Sequence, residues 1–474
     1  MSIQTLGKQS LIYGFGHIMV RLVTFLLLPL YTNIFSAEEY GVVALFYTFL
    51  SFMNVILRYG MGAALLKFYI PADTDERKTI ITNIIASLFL SGGLFLILFY
   101  MFRHMLAPII LGVNNPELIT LMGIIIVFDT IWSIPMLVLR SENRPIQFIS
   151  LSLLNVGITM GLNLVLILKM GMGIKAVFLS NLIASGILLL VSLPILGKRF
   201  NLSSLSVDRW KTILKFAMPF LPAGLFSMVM EVSDRYILKY LTDLSTVGIY
   251  NTGYKVGMLM MLVVTGFNMG WQPYFLQEGK SNYKDNVFSN IITYVCASLG
   301  FIWVLILIWS DKLIRFKLFG YSFIGEEFYD ALPLVPWIAL GYLFYGYYIL
   351  QTPGIFLKDR PSIAAWTRLF GALINIGLNL FLIPIYGAWG AAISTCLSFF
   401  FMAVLMNVIS NKLYPIKIKW PKISMIIIIL LVSYALTKAF GDGIIMGLLI
   451  SIIYPLSLLG TGVVNLKVLI GKSE

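Results

Sequence analysis

The stretch Gly161–Ile167, which reads GLNLVLI, returns later in the chain as GLNLFLI at Gly377–Ile383. Six of the seven positions are identical. Three further landmarks repeat at the same offset: Arg144-Pro145 with Arg360-Pro361, Gly171 with Gly387, and Ala176 with Ala392. The alternative is chance similarity between two leucine-rich helices. A match that runs from a loop through an apolar stretch to the next turn favours an internal repeat, so we expect two related halves.

The composition is typical of a membrane protein. Hydrophobic residues make up 59% of the 474 residues and charged residues 12%, about half the share in a soluble domain. Apolar runs of about 20 residues, the length a helix needs to cross the hydrocarbon of a bilayer, recur along the chain. The sequence therefore predicts an all-α polytopic membrane protein.

About fourteen transmembrane helices are expected. The predicted spans are 10–35, 41–66, 80–102, 117–139, 147–168, 174–197, 212–240, 247–276, 287–309, 329–357, 364–385, 390–410, 423–440 and 444–466. The first span is too long for a cleaved signal peptide and lacks a small-residue cleavage pattern, so we expect it to stay in the mature chain.

The position of the repeat predicts how these helices are arranged. An even number of spans separates the two copies, so both copies face the same way across the membrane. We expect two parallel six-helix bundles around a central cavity, followed by two extra helices. The predicted divisions are 1–200 for the first bundle, 201–211 for a cytoplasmic linker, 212–411 for the second bundle and 422–474 for two accessory helices.

The basic residues predict the orientation. With the N-terminus inside, cytoplasmic segments hold about 20 of the 34 lysines and arginines and outer loops about 5, which satisfies the positive-inside rule. We therefore expect both termini to be cytoplasmic. The net charge of +13 then reflects topology and anionic headgroups, and no nucleic-acid motif appears.

Several chemistries lack support in the sequence. His17 and His104 are too far apart for a metal site, and Cys296 and Cys396 fall inside predicted spans. The turn Gly171-Met172-Gly173 follows no strand and precedes no Lys-Ser/Thr pair, so it is not a phosphate loop. The outer loops carry no paired catalytic arrangement, so we expect neither an enzyme nor a cofactor.

Charged residues inside the spans suggest an anionic cargo. Arg21 lies near the middle of the first span, and Arg58, Arg235 and Lys255 lie within or near others. Cations inside a membrane are costly and commonly functional, and arginine presents a fork of donors that matches phosphate oxygens. These four residues are the candidate substrate ligands. Their alternatives are a buried ion pair for Arg21 and snorkelling to the headgroups for Arg58.

Four other residues are candidates for coupling or gating. Glu231 and Arg235 are four residues apart on one predicted helix with Asp234 between them, so they can form a static salt bridge or a switch that an arriving anion opens. Asp129 is either a packing site or a counter-ion or coupling-ion ligand. His17, one turn before Arg21, can titrate near neutral pH or simply pack.

The chain resembles the polysaccharide repeat-unit flippases (Wzx-like, O-antigen and capsule transporters). This family belongs to the multidrug/oligosaccharidyl-lipid/polysaccharide (MOP) exporter superfamily. The resemblance covers nearly the whole length and rests on the six, six and two pattern of spans and on four loose motifs. These are Arg21 with Leu28-Pro29-Leu30 and Glu39-Tyr40-Gly41, Met218-Pro219, Asp234-Arg235, and Trp271-Gln272-Pro273.

The resemblance implies that the chain moves an undecaprenyl-pyrophosphate-linked oligosaccharide from the inner to the outer leaflet of a bacterial cytoplasmic membrane. Its expected partners are this lipid-linked cargo and membrane lipids, and we expect a monomer. The sequence leaves open whether it acts alone or with a polysaccharide polymerase. The alternatives are a lipid II flippase, whose cargo shares the lipid pyrophosphate, and a cation-coupled multidrug exporter, which would place acids in its cavity.

Overall fold

The computed structural model describes residues 25–197, 199–278, 284–318, 320–360, 362–440 and 443–464. Nearly all of this chain is helical, with one short antiparallel hairpin of β1 (Lys317–Leu318) and β2 (Tyr321–Ser322). Within the described residues, eleven helical stretches are long and apolar enough to cross a membrane, and some of them consist of consecutive helices. The number is twelve if one bent pair counts as a single span. The predicted all-α membrane class is confirmed.

Contacts between Cα atoms divide the chain into two compact units, 1–248 and 249–474. The helices whose described residues begin in the first unit are α1 (Leu27–Ile34), α2 (Ala37–Arg58), α3 (Met61–Tyr69), α4 (Thr74–Met101), α5 (Arg103–Leu111), α6 (Pro116–Ser141), α7 (Pro145–Leu164), α8 (Lys175–Gly197), α9 (Val207–Ala217), α10 (Phe220–Leu241) and α11 (Leu244–Gly257), the last of which continues into the second unit. A π-helical turn, Val165–Lys169, extends α7.

The second unit contains the end of α11 and the remaining helices. These are α12 (Leu259–Glu278), α13 (Lys284–Arg315), α14 (Val335–Leu350), α15 (Pro353–Leu357), α16 (Ser362–Tyr386), α17 (Ala388–Leu413), α18 (Trp420–Phe440) and α19 (Ile444–Gly460), with a 3-10 segment, Glu326–Leu334, before α14. Helix α14 packs on α17, α16 pairs with α17, and α18 and α19 both pack on α13.

Within the first unit, α6 packs against α8 and α4, and α2 packs against α10. The amphipathic helix α9 begins within the predicted linker 201–211 and packs on α3 and α4. Compactness therefore groups α9 and α10 with the helices before them. The division into two six-helix bundles at 201–211 was inferred from the internal repeat, and it stays a prediction.

Local sequence sets the bounds of α2. Ser36 begins the helix with a capping box, in which its hydroxyl accepts the N–H of Glu39 and the Glu39 carboxylate accepts the N–H of Ser36. The helix ends where Tyr59 and Gly60 take φ values of 28° and 79°. Because helical hydrogen bonding stops there, the predicted span 41–66 consists of two helices, with Arg58 as the last residue of the first.

The two copies of the repeat share an unusual backbone at their first loop. Asn143 and Asp359, at equivalent positions, have φ values of 55° and 54°. The N–H of Arg144 donates to Leu139 O at 2.9 Å, and the N–H of Arg360 donates to Ile355 O at 2.8 Å. In both copies, therefore, the helix ends at a residue in the left-handed conformation, and the next N–H donates to a carbonyl oxygen five positions earlier.

The repeated motif also has the same role in both copies. Asn163 and Asn379, its central asparagines, are both fully buried, and each donates from Nδ2 to the residue four positions earlier. Gly171 and Gly387, in the turns that follow, have φ values of 61° and 54°. The structure thus supports a true repeat over chance similarity.

Candidate functional site

Arg21 and His17 lie outside the described residues, so their roles as substrate ligand and coupling group stay predictions. The other six candidates are described. Five of these, Arg58, Asp129, Glu231, Asp234 and Arg235, lie in the first unit, and Lys255 lies in the second.

Arg58 lies among polar side chains inside the first unit. Its Nη2 donates to Asn54 Oδ1 at 3.5 Å and to the backbone oxygen of Asp129 at 3.4 Å. Its Nε is buried, and within the described chain no hydrogen-bond acceptor meets it. A buried guanidinium N–H without an acceptor is costly, so Arg58 has an unused capacity to bind an oxygen.

Asp129 lies on α6, among the same polar side chains. Its Oδ1 accepts the hydroxyl of Ser185, on α8, at 2.6 Å and the indole N–H of Trp132 at 2.9 Å. The Asp129 carboxylate therefore bonds α8 to α6, with a cation from α2 nearby.

The structure brings together two candidates that the sequence predicted separately. Arg58 and Asp129 are near neighbours, yet Arg58 contacts the Asp129 backbone oxygen, and their charged groups form no ion pair within 4.0 Å. This arrangement offsets the charge of Arg58 without occupying its Nε. We call Arg58, Asn54, Asp129, Trp132 and Ser185 the polar patch from here on.

Arg235 and Asp234 form a second buried pair, on α10. Arg235 is 4% exposed and Asp234 1% exposed, and Arg235 Nη1 lies 2.7 Å from Asp234 Oδ1. The same Nη1 donates to the backbone oxygen of Glu231, also at 2.7 Å. The sequence predicted a pairing of Glu231 with Arg235 along one helical face. The contact in the structure uses the Glu231 carbonyl, and Asp234 supplies the carboxylate.

Lys255 is half-buried on α11, in the second unit. The adjacent Tyr254 hydroxyl bonds that of Tyr342, on α14. Lys255 therefore lies beside a buried aromatic pair.

An aromatic cleft of about 430 Å³ lies between α12 and α13 of the second unit. Its walls include Phe267, Trp271, Tyr274 and Tyr294. Trp271 comes from the quoted Trp-Gln-Pro motif, and within the described chain its buried indole N–H meets no acceptor. Such walls suit the face of a sugar ring or an apolar chain.

Sequence reasoning missed a cluster around Glu142, just after α6. Arg199 donates to both carboxylate oxygens, Nε to Oε1 at 2.9 Å and Nη2 to Oε2 at 2.8 Å. Tyr69 donates its hydroxyl to Oε1 at 2.7 Å, and Arg144 Nε lies 3.3 Å from Oε2. One carboxylate thus orients two arginines from different segments. No spacing rule links these four positions, so sequence pattern alone contained no signal for them.

The cluster shifts the acidity of its members. Burial acts to raise the pKa of Glu142, but hydrogen bonds from Tyr69 and Arg199 and the charges of Arg199 and Arg144 outweigh it, so this pKa lies below its usual value. Burial, with the hydrogen bond to Glu142, raises the pKa of Tyr69. Glu142 is therefore ionised at neutral pH.

Lys239, on α10, is another residue that the sequence analysis missed. Its Nζ donates to the backbone oxygen of Pro108 at 2.7 Å and to that of Ile109, and the Tyr240 hydroxyl also donates to Ile109 O. These oxygens belong to the last turn of α5, where Pro108 O also accepts the N–H of Gly112. Lys239 thus ties the end of α10 to the end of α5.

The arrangement includes buried N–H donors that suit an anion. Within the described ranges no three histidine, cysteine, aspartate or glutamate side chains converge to hold a metal ion. Among the buried side-chain atoms without a partner in the described chain are a guanidinium N–H donor at Arg58 and an indole N–H donor at Trp271.

Comparison with known proteins agrees with this architecture. The profile of the family described as "Polysaccharide biosynthesis protein" matches residues 6–278, more than half of the chain. The chain is 25% identical over 239 residues to a probable low-salt glycan biosynthesis flippase, Agl15, of Haloferax volcanii, which covers 47% of this chain and 48% of that protein. It is 26% identical over 153 residues to an uncharacterised membrane protein of Methanocaldococcus jannaschii, covering 31% and 29%. The matched regions thus span about half, or less, of these relatives.

Solved structures share the fold over nearly the whole chain. A lipid II flippase, MurJ, in an inward closed conformation has a TM-score of 0.74 at 19% identity, with 94% of this chain and 97% of that chain covered. An inward-facing MATE family multidrug resistance transporter of the MOP superfamily has a TM-score of 0.68 at 14% identity, with 87% and 94% covered. The chain therefore belongs to the polysaccharide biosynthesis protein family, and its all-α fold is that of the MOP exporters.

Proposed function

We propose that this chain is a flippase that moves undecaprenyl-pyrophosphate-linked oligosaccharide repeat units from the inner to the outer leaflet of a bacterial cytoplasmic membrane by alternating access. The observation that carries the proposal is the buried Nε of Arg58, a guanidinium donor inside apolar helices without an acceptor in the described chain. A pyrophosphate is a multiply charged anion with oxygens that a guanidinium binds in a fork. The family description and the glycan flippase relative support the same class of cargo.

In this proposal Arg58 and Arg235 are ligands for the pyrophosphate, together with Arg21 and Lys255. Arg235 is held by Asp234 in the present arrangement, so an arriving anion would compete with that carboxylate. Such competition favours whichever conformation frees Arg235, which is how a ligand shifts a two-state equilibrium. Asp129, Glu231, Asp234 and His17 are the proposed coupling or gating groups.

The membrane potential gives the cycle a direction. With a negative interior, each anionic charge carried outward gains roughly 2.3 kcal/mol per 100 mV. An empty site with excess positive charge is drawn inward by the same field, which resets the carrier. Export should therefore slow when the potential is collapsed, and unchanged export would remove this part of the proposal.

The deciding experiment is export of lipid-linked oligosaccharide in cells whose own flippase is deleted. The parent chain, Arg21→Ala, Arg58→Gln and Arg58→Lys are compared at equal membrane abundance. The matched control is Arg315→Gln, which removes a half-exposed arginine that pairs with Asp311. We expect the parent and the control to restore export and both charge-removing variants to lose it by at least about tenfold, with partial activity for Arg58→Lys because one point charge replaces the fork.

The same strains distinguish the alternatives. Full export by Arg58→Gln would remove Arg58 from the site. Rescue of cells depleted of their lipid II flippase, but not of oligosaccharide export, would assign the chain to lipid II. Failure in both, with increased resistance to cationic drugs, would assign it to drug export.

A further inference from the structure

A cleft of about 590 Å³ lies between the start of α7 and the end of α8, in the first unit. Arg144, Ile146, Gln147, Ser150 and Leu151 line it from the start of α7, and Pro194, Ile195 and Arg199 line it from the end of α8. Residues 144, 147 and 150–151 share one face of α7, because neighbours on a helical face are three or four positions apart. The two arginines lie at the end that the positive-inside pattern assigns to the cytoplasm.

Glu142 fixes both arginines in place. It takes two hydrogen bonds from Arg199 and one contact from Arg144, and Arg199 Nη1 also donates to Ile195 O at 2.5 Å. The Arg144 side chain is still 50% exposed, and its contact with Glu142 is through Nε. The carboxylate thus orients the guanidinium groups while Arg144 keeps its fork available. With two cations and one anion, the cleft carries a net charge of +1.

The rest of the cleft is apolar and continues onto a lipid-facing surface. Helix α7 is among the least buried of the spanning helices. Ile146 is 74% exposed, and Leu190 and Leu193, on α8, are also exposed. Large apolar side chains exposed on a spanning helix face acyl chains, so a ligand in this cleft has a charged head and an apolar tail.

We infer that this cleft binds the phosphate of an anionic phospholipid resident in the cytoplasmic leaflet. The guanidinium fork of Arg144 matches phosphate oxygens, Gln147 and Ser150 supply further polar groups, and the acyl chains lie along α7 and α8. The site is separate from the polar patch and takes a lipid that is not transported. Its test therefore does not depend on flippase activity.

The second repeat provides an internal comparison. Arg360 is equivalent to Arg144 and follows the same left-handed residue, but the positions equivalent to Glu142 and Arg199 are Lys358 and Pro415. Arg360 is exposed and has neither the orienting carboxylate nor the second arginine. If positive charge alone attracts the headgroups, loss of Arg144 and loss of Arg360 should weaken lipid binding equally. A specific binding site predicts that only the loss of Arg144 weakens it.

The experiment is a titration of the purified full chain in detergent with phosphatidylglycerol and, separately, with phosphatidylcholine. Bound lipid is counted by mass spectrometry of the intact protein. We expect phosphatidylglycerol to bind more tightly, and Arg144→Gln to weaken it about fivefold. Gln147→Glu, which leaves the Glu142 cluster intact and adds a repelling charge, should weaken it at least as much. Arg360→Gln should leave the affinity unchanged.

Other outcomes would overturn the proposal. Equal weakening by Arg144→Gln and Arg360→Gln would show general attraction only, as would equal binding of the two phospholipids. Displacement by inorganic phosphate would assign the cleft to a free anion. Displacement by farnesyl pyrophosphate at a far lower concentration than phosphatidylglycerol would assign it to the transported lipid. Thermal unfolding midpoints within a degree or two of the parent show that each variant is folded; if Arg144→Gln fails this check, Gln147→Glu decides.

Discussion

Gly41 and Gly248 meet at a point where neither helix has room for a side chain. A Cβ on Gly41 would overlap the carbonyl oxygen of Leu244, and a Cβ on Gly248 would overlap that of Ala37. The start of α2 and the start of α11 thus approach each other backbone to backbone. Such close approach is possible only for glycine.

This contact predicts the effect of adding one methyl group. Gly41→Ala or Gly248→Ala should lower the free energy of unfolding by about 1–3 kcal/mol, because the two backbones must separate. The control is Gly93→Ala on α4, where a Cβ meets nothing within 4 Å. Thermal unfolding in detergent measures all three. A loss in Gly93→Ala as large as in the other two would contradict the explanation.

A double-mutant cycle tests the polar patch. Asp129→Asn should lower the free energy of unfolding by about 1–3 kcal/mol, because Arg58 then lacks a nearby negative charge. Adding Arg58→Gln should recover at least about 0.5 kcal/mol of that loss if the two residues are coupled. Export should stay lost in the double variant. Recovery of both stability and export would show that the pair is structural only.

The Glu142 cluster predicts a pH dependence of stability. Because the native pKa of Glu142 lies below its unfolded value of about 4.3, the cluster contributes its full stability above that pH. The contribution is lost as pH falls through the native pKa. Glu142→Gln should cost about 1.5–3 kcal/mol at pH 7, and the difference from the parent should shrink below pH 4. A difference that grows in acid would have the wrong sign.

Lys239 should stabilise the contact between α10 and α5. Lys239→Met keeps the aliphatic stem but removes the donor to Pro108 O and Ile109 O, so we expect a loss of about 1 kcal/mol in unfolding free energy. Tyr240→Phe, which removes one bond to the same oxygen of Ile109, should cost no more than that. If Tyr240→Phe lowers the unfolding free energy more than Lys239→Met does, the tyrosine and not the lysine is the main stabiliser of this contact.

The repeat predicts paired responses in the two units. Gly171→Ala and Gly387→Ala should each cost about 1 kcal/mol, because both glycines have positive φ. Gly161→Ala and Gly377→Ala, which add a Cβ in open space inside helices, should be neutral or stabilising. A loss confined to one unit would mean that the turns are not equivalent.

The sequence predicted the features that depend on composition and period. Apolar runs identified the spans, and the recurrence of Asn163 as Asn379 identified the repeat. Hydropathy does not show where hydrogen bonding within an apolar run stops, so the sequence did not predict the break at Tyr59-Gly60. This break depends on backbone conformation, which an average hydropathy does not contain.

Side-chain partners were predicted less well than positions. The i,i+4 rule placed Glu231 on the same face as Arg235, and Arg235 bonds the Glu231 carbonyl there, but the rule did not predict the ion pair of Arg235 with Asp234, the adjacent residue. Arg58 and Asp129 were both singled out, yet their proximity depends on how α2 packs against α6. Contacts between distant segments, such as Tyr69 and Arg199 on Glu142, follow from tertiary packing alone.

The break after Arg58 has an electrostatic consequence. Aligned peptide groups give the C-terminus of a helix about half a negative charge, and Arg58 lies at that end of α2. The carbonyl groups at the end of the helix therefore offset part of the charge of Arg58. Unlike a counter-ion, these groups cannot leave, and they are not protonated. A cation stabilised in this way stays charged whether or not an anion is bound, so in the proposed cycle Arg58 would need no new counter-ion when an anion leaves.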